Sequence, residues 1–153
     1  MINEKNILKI ESDVFGGFWP GIQLYYPPVK YSPSTGGYED LEEASKRFKK
    51  HAHQTIAHTL IFDLEDGCRQ KELSRELLKL ELPGLRQSRP DVQIAIRINP
   101  FRTVEFEKDI TLLKVLSDEV DVVMLAKAGE AYGSAEVRDL SSIVLDLNTK
   151  ITI

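Results

Sequence analysis

The chain has 153 residues, 42% of them hydrophobic and 29% charged, a composition that fits one ordinary globular domain with its own core. A net charge of −4 without any basic tract argues against a nucleic-acid partner, although single lysines or arginines remain available to a small anion. The single cysteine, Cys68, precludes an internal disulfide framework and fits a cytoplasmic location. No apolar run reaches the roughly 18 residues of a membrane span, and no signal-peptide pattern is present.

Residues 1–20 are a mixed lead-in, broken by Gly16, Gly17 and Pro20. "GIQLYYPP" (21–28) reads as a short strand stopped by Pro27 and Pro28, because proline donates nothing to a ladder. "KYSPSTGG" (30–37) is loop chemistry. The following 38–54 places acids first and bases last, the charge order that suits a helix dipole. "HTLIFDLE" (58–65) is a strand. "RQKELSRELLKLEL" (69–82) carries leucines at helical spacing and is expected to end at Pro83-Gly84. A strand over 91–100, a helix over 104–117, a strand over 120–129 and a helix over 134–147 complete the order, with "ITI" (151–153) opening another strand.

Alternating strands and helices predict an α/β fold with a parallel sheet. The chain is read as a single domain, 1–153, in which 21–153 holds four βα units and the start of strand five. An eight-stranded βα barrel needs about 250 residues, so these units amount to the N-terminal half of a TIM barrel, or else to a small open doubly wound sheet. Side-chain alternation sharpens the picture. Leu60, Phe62 and Leu64 share one side of the second strand, and Ile94, Ile96 and Ile98 one side of the third. Ile61, Asp63 and Glu65 lie opposite, as do Ala95, Arg97 and Asn99. The bulky faces should pack on helices, leaving the charged groups near the carboxyl ends of the other face. Purely structural parallel strands are more often apolar on both faces.

"IFDLEDGC" (61–68) invites comparison with the Asp-x-Asp-Gly-Thr motif of haloacid-dehalogenase-type phosphatases. The spacing fails: position 65 is glutamate, Asp66 intervenes before the glycine, and Cys68 stands where a threonine is needed. The set of strand ends instead resembles the citrate lyase β-subunit family, the CitE-like branch of the HpcH/HpaI aldolase superfamily. "LYYPPVK" is similar to its Leu-Phe-x-Pro-Gly-x-Arg, and "IFDLEDGC" to Ile-Leu-Asp-Leu-Glu-Asp-Gly-Val. "KELSREL" supplies a lysine and an arginine four residues on; "IRINPFRT" resembles Val-Arg-Ile-Asn-Pro-x-x-Thr, and "VVMLAKAGE" Val-Met-Leu-Pro-Lys-x-Glu. The likeness spans roughly 22–130. The lead-in and the long 31–38 loop are departures, similar to those of a sub-branch of TIM-barrel C–C bond lyases associated with stress and tellurium-resistance gene clusters.

The resemblance implies a lyase or aldolase acting beside a carbonyl of a 2-oxo acid or acyl-CoA thioester, through an enolate stabilised by Mg²⁺. A hard divalent cation stabilises enolate oxygen without a proton and keeps several waters. On the same resemblance Glu65 and Asp66 accept hydrogen bonds from those waters, and Arg97 grips a substrate carboxylate with a planar fork. Asn99, Thr103, Lys30 and Lys127 are further substrate-binding candidates. Lys30 keeps the charge of the family arginine without its fork, Pro28 replaces a glycine, and Ala126 replaces a proline. The family's direct metal ligands are expected beyond Ile153, so these 153 residues alone should lack activity.

Blander readings stand beside these. Asp66-Gly67 suits a turn with Asp66 capping the next helix, and Asp63 can simply bind backbone. Lys127 is divided between an internal ion pair and a site role. His51, His53 and His58 show no zinc spacing, Cys68 has no partner motif, and "KRFKK" (46–50) reads as a solvated helix end. The competing function is a non-catalytic barrel-derived module that binds a small acid or a partner chain. A homo-oligomer is expected, because half a barrel leaves two strand edges.

Overall fold

The computed structural model describes residues 21–126, together with 138–139 and 142–143. The lead-in, Lys127, most of the expected 134–147 helix and the final strand lie outside the described residues.

The elements follow the expected alternation. Strand β1 (Gln23–Tyr26) leads into a short hairpin of β2 (Tyr31–Ser32) and β3 (Gly37–Tyr38), then α1 (Leu41–Ala52). Next come β4 (Thr59–Asp63), α2 (Lys71–Ser88), β5 (Gln93–Ile98), α3 (Val104–Val115) and β6 (Val122–Leu125). The four longer strands form a parallel sheet in the order β1-β4-β5-β6, which is chain order. The 30–37 stretch, expected as loop, contributes Tyr31–Ser32 and Gly37 to an antiparallel hairpin that Tyr38 completes, with Tyr31 and Tyr38 opposite one another and their rings edge to face.

All three helices supply one hydrophobic core on one face of this sheet. Phe48 of α1, Leu77, Leu78, Leu82 and Leu85 of α2, and Phe106, Leu112 and Leu113 of α3 pack with Leu60, Phe62, Ile94, Ile96, Ile98 and Val123. These are the alternate strand positions assigned to the bulky face. The opposite face carries a separate small cluster of Ile61, Ala95 and Val122, with Met124 against it. Burying a leucine or phenylalanine side chain contributes about 1.5–3 kcal/mol, so the helix-facing side dominates the stability of the fold.

Local chemistry explains the helix boundaries. Asp40 caps α1 by accepting from the Glu43 amide at 2.9 Å, and the Glu43 carboxylate accepts from the Asp40 amide at 3.4 Å. Helix α2 does not end at Pro83-Gly84; it continues to Ser88. Pro83 lies on the exposed side, where the carbonyl that loses its intrahelical bond can reach water. Buried Leu82 and Leu85 meanwhile hold the turn against the core. The basic run of α1 is likewise not wholly solvated. Arg47 is largely buried, bonded to Glu39 at 2.7 Å and to the Pro28 carbonyl at 2.7 Å, which ties the loop after β1 to α1.

Candidate functional site

The carboxyl ends of β4 and β5 lie side by side, with Asp63 opposite Arg97 in the ladder. Both point to the face away from the helices, as strand alternation predicts. Arg97 donates from Nε to Asp63 Oδ1 at 2.9 Å and from Nη2 to Oδ2 at 2.6 Å, a two-point ion pair. The Asp63 oxygens also accept from the backbone amides of Glu65, at 2.9 Å, and Gly67, at 3.1 Å. Asp63 therefore binds backbone and a side chain at once. With four donors around its two oxygens, it is poorly placed to act as a nucleophile or a metal ligand.

Gly67 belongs to this clamp. A Cβ at position 67 would stand 2.5 Å from Asp63 Oδ2, so the turn closes tightly only without a side chain there. Burial by itself would raise the Asp63 pKa. The Arg97 bonds and the two amides outweigh burial and hold the carboxyl below its ordinary value. The same pairing with Asp63 raises Arg97 further above its already high pKa.

Glu65 is buried, its Oε2 3.8 Å from Arg97 Nη2, so one carboxylate of the expected pair adjoins the guanidinium. Asp66 is exposed on the turn and does not cap α2, whose N-cap is Gln70 without a side-chain bond. The ring of Tyr25, on β1, faces Arg97 with the guanidinium carbon 5.7 Å from its centre. Lys30 is exposed in the loop after β1, and its backbone amide donates to Glu39 at 2.9 Å.

Asn99 does not join Arg97. Strand β5 ends at Ile98, so alternation no longer governs the next residue. The Asn99 side chain donates to the Leu64 carbonyl at 2.9 Å and to Asp109 of α3 at 2.7 Å, while its Oδ1 accepts from Lys71 at 2.8 Å. Lys71 also donates to the carbonyls of Leu64 and Glu65, at 2.6 and 2.7 Å. Asp109 in turn accepts from Arg75 Nε at 2.8 Å, and Arg75 reaches Glu105 at 2.6 Å. This network links the acid-bearing turn to α2 and α3. Lys71 and Arg75 were legible as the paired basic residues of "KELSREL", but nothing in their spacing revealed their partners. Thr103 caps α3, accepting from the Phe106 amide at 3.1 Å and donating to the Pro100 carbonyl at 2.7 Å.

The remaining singled-out side chains lie elsewhere. His53 shares a hydrogen bond with Ser88 at 2.8 Å, and His58 Nδ1 accepts from the Ile22 amide at 3.1 Å. The buried Cys68 thiol points to Ser74 Oγ at 3.1 Å, and burial raises its pKa. A groove of about 220 Å³ between α2 and α3 is lined by Glu72, Arg75, Lys79 and Lys108, on the helix layer rather than at the strand ends.

Among the described residues no three His, Cys, Asp or Glu side chains converge as a metal-binding set. No described helix is long and apolar enough to cross a membrane. A scan against protein-family models gives no match, and no curated protein matches the chain. The resemblance to citrate lyase β-subunits therefore rests on the strand-end motifs alone.

Proposed function

We propose that this chain is the N-terminal half of a TIM-barrel carbon–carbon lyase or aldolase resembling citrate lyase β-subunits. Its substrate would be a small carboxylate-bearing 2-oxo acid or an acyl-CoA thioester. The observation that carries the reading is the grouping of Arg97 and Glu65 on the inner face of a singly wound parallel sheet, at the strands' carboxyl ends. Helices on one face and strands in chain order suit a barrel wall better than a doubly wound sheet. A partly exposed guanidinium at that end suits an anionic substrate.

The residues at hand fit Mg²⁺ only in an indirect way. Glu65 and Asp66 offer hard carboxylate oxygens to waters around the ion, whereas Asp63 is already saturated by four donors. When bound, the ion would stabilise negative charge on the enolate oxygen. The residues of this chain would anchor the substrate carboxylate through Arg97, hold Arg97 in place through Asp63, and fix the Glu65-Asp66 turn through Lys71. Because Nε is engaged by Asp63, Arg97 would meet the carboxylate end-on, through Nη1 and Nη2.

The alternative, a module that binds a small acid without turnover, draws on the same partly exposed Arg97 guanidinium, which needs no metal to hold a carboxylate. Ligand-observed NMR titration of pyruvate, oxaloacetate and acetyl-CoA, with and without MgCl₂, tests both readings. Binding weakened at least about tenfold by Arg97→Ala supports the anchor, a loss of about 1.4 kcal/mol. Unchanged binding in a folded Arg97→Ala variant refutes it. Because the 153 residues alone are not expected to turn over, the MgCl₂ arm separates the readings: acid binding that MgCl₂ strengthens favours the lyase, and binding indifferent to MgCl₂ favours the module.

A further inference from the structure

Tyr25 has no place in the motifs' polar residues, yet it stands beside the candidate anchor. Its position in β1 is paired with Ile61, so its side chain belongs to the inner face together with Ile61, Ala95 and Arg97. The next residue, Tyr26, faces the helices and is almost fully buried between Phe48 and Phe62. Tyr25, by contrast, keeps 51% of its surface exposed. Its hydroxyl has no hydrogen-bond partner among the described residues. The guanidinium of Arg97 lies 5.7 Å from the ring centre, inside the roughly 6 Å reach of a cation–π contact.

We propose that Tyr25 is a ligand-binding residue of the Arg97 site, its hydroxyl donating a hydrogen bond to the second acceptor, a 2-oxo oxygen, beside the carboxylate that Arg97 holds. This rests on the anion-binding role of Arg97 proposed above. The ring lies beside the guanidinium, its centre 5.7 Å from the guanidinium carbon, so a ligand held by Arg97 comes within reach of the phenol. Asp63 occupies Nε and one side of the fork, so the ligand approaches from the end. A carboxylate or 2-oxo group has more acceptor sites than one guanidinium end can fill, and the phenol is the neighbouring neutral donor. A neutral donor also discriminates: it favours a ligand with a second acceptor beside the carboxylate over one with an alkyl group there.

The test compares wild type, Tyr25→Phe and Arg97→Ala as full chains, titrated with sodium pyruvate and with sodium propionate, which lacks the 2-oxo oxygen. Thermal melts establish that each variant is folded; Tyr25→Phe should melt with wild type, since the residue is half exposed and the lost hydroxyl gives up no hydrogen bond within the described residues. Tyr25→Phe should weaken pyruvate binding about three- to tenfold while leaving propionate binding within twofold. If Arg97→Ala abolishes pyruvate binding but Tyr25→Phe binds pyruvate as wild type does, the hydroxyl contact is overturned and the anchor stands. If Tyr25→Phe weakens both ligands equally, the claimed contact with the second acceptor is overturned. If Arg97→Ala binds pyruvate like wild type, or wild type binds no pyruvate, the anchor itself fails and the Tyr25 contact with it.

Discussion

Two arginines, 22 positions apart in the sequence, meet aspartates at the same end of the sheet and are used differently. Arg75, in the helix layer, has a side chain only 4% exposed and is surrounded by Asp109, Glu105 and Glu72. Arg97, on the inner face, is held by Asp63 but stays 28% exposed beside the open ring of Tyr25. A buried arginine needs all its counter-charge from the protein, because no water or ligand can supply it. A partly exposed one needs only enough to fix its orientation. The contrast separates a charge that assembles the fold from a charge left available to a ligand.

The comparison breaks most readily at Asp109. Its carboxylate is fully buried and accepts from the Asn99 amide, the Asn99 side chain and Arg75. Asp109→Ala leaves a buried guanidinium and two Asn99 donors short of acceptors, and should cost about 3–5 kcal/mol, the usual penalty for breaking a buried pair. Urea denaturation measures it. A loss under about 1 kcal/mol would place Arg75 in the same class as Arg97.

Asp63→Asn sharpens the other half. The amide keeps an acceptor but turns its NH₂ toward donors from Gly67 or Arg97, an expected loss of about 1–3 kcal/mol at neutral pH. The Asp63 pKa is depressed in the folded protein, so its contribution is complete above the ordinary aspartate value of about 3.9 and drains away as pH falls through the depressed one. The stability gap between wild type and Asp63→Asn should therefore be widest near neutrality and close on acidification. Denaturant midpoints across that range would show it. A gap independent of pH would mean that the charge of Asp63 does not hold Arg97.

The helix-facing core was legible because bulky apolar residues recur with period two in β4 and β5, and leucines recur with helical spacing in α2. The run through Pro83 was not, because a local stop signal is overridden when Leu82 before it and Leu85 after it are both buried. For the site, alternation placed Asp63, Glu65 and Arg97 on one face, but it did not say that Arg97 would be satisfied by Asp63. That pairing joins residues 34 positions apart and depends on the register of two strands. Asn99 was misplaced because alternation was carried one residue beyond the strand's end. Arg75 was legible as the arginine of "KELSREL", but its partners were not, since its three acidic neighbours come from two helices.

Arg97→Lys gives the smallest expected effect on stability and the clearest separation of the two roles. Lysine retains the charge and can reach one Asp63 oxygen, but it loses the second of the paired bonds and the planar contact with Tyr25. At a partly exposed pair this should cost about 1 kcal/mol, less than Asp63→Asn, because the carboxylate keeps its two backbone amides. Pyruvate affinity should nevertheless fall about tenfold, since an ammonium engaged by Asp63 cannot present a second parallel donor to the ligand. The two readings are taken on the same sample, by denaturation and by ligand-observed NMR. A stability loss as large as that of Asp109→Ala, with ligand binding unchanged, would make Arg97 a fold-assembling charge like Arg75 and leave the inner face without an anion anchor.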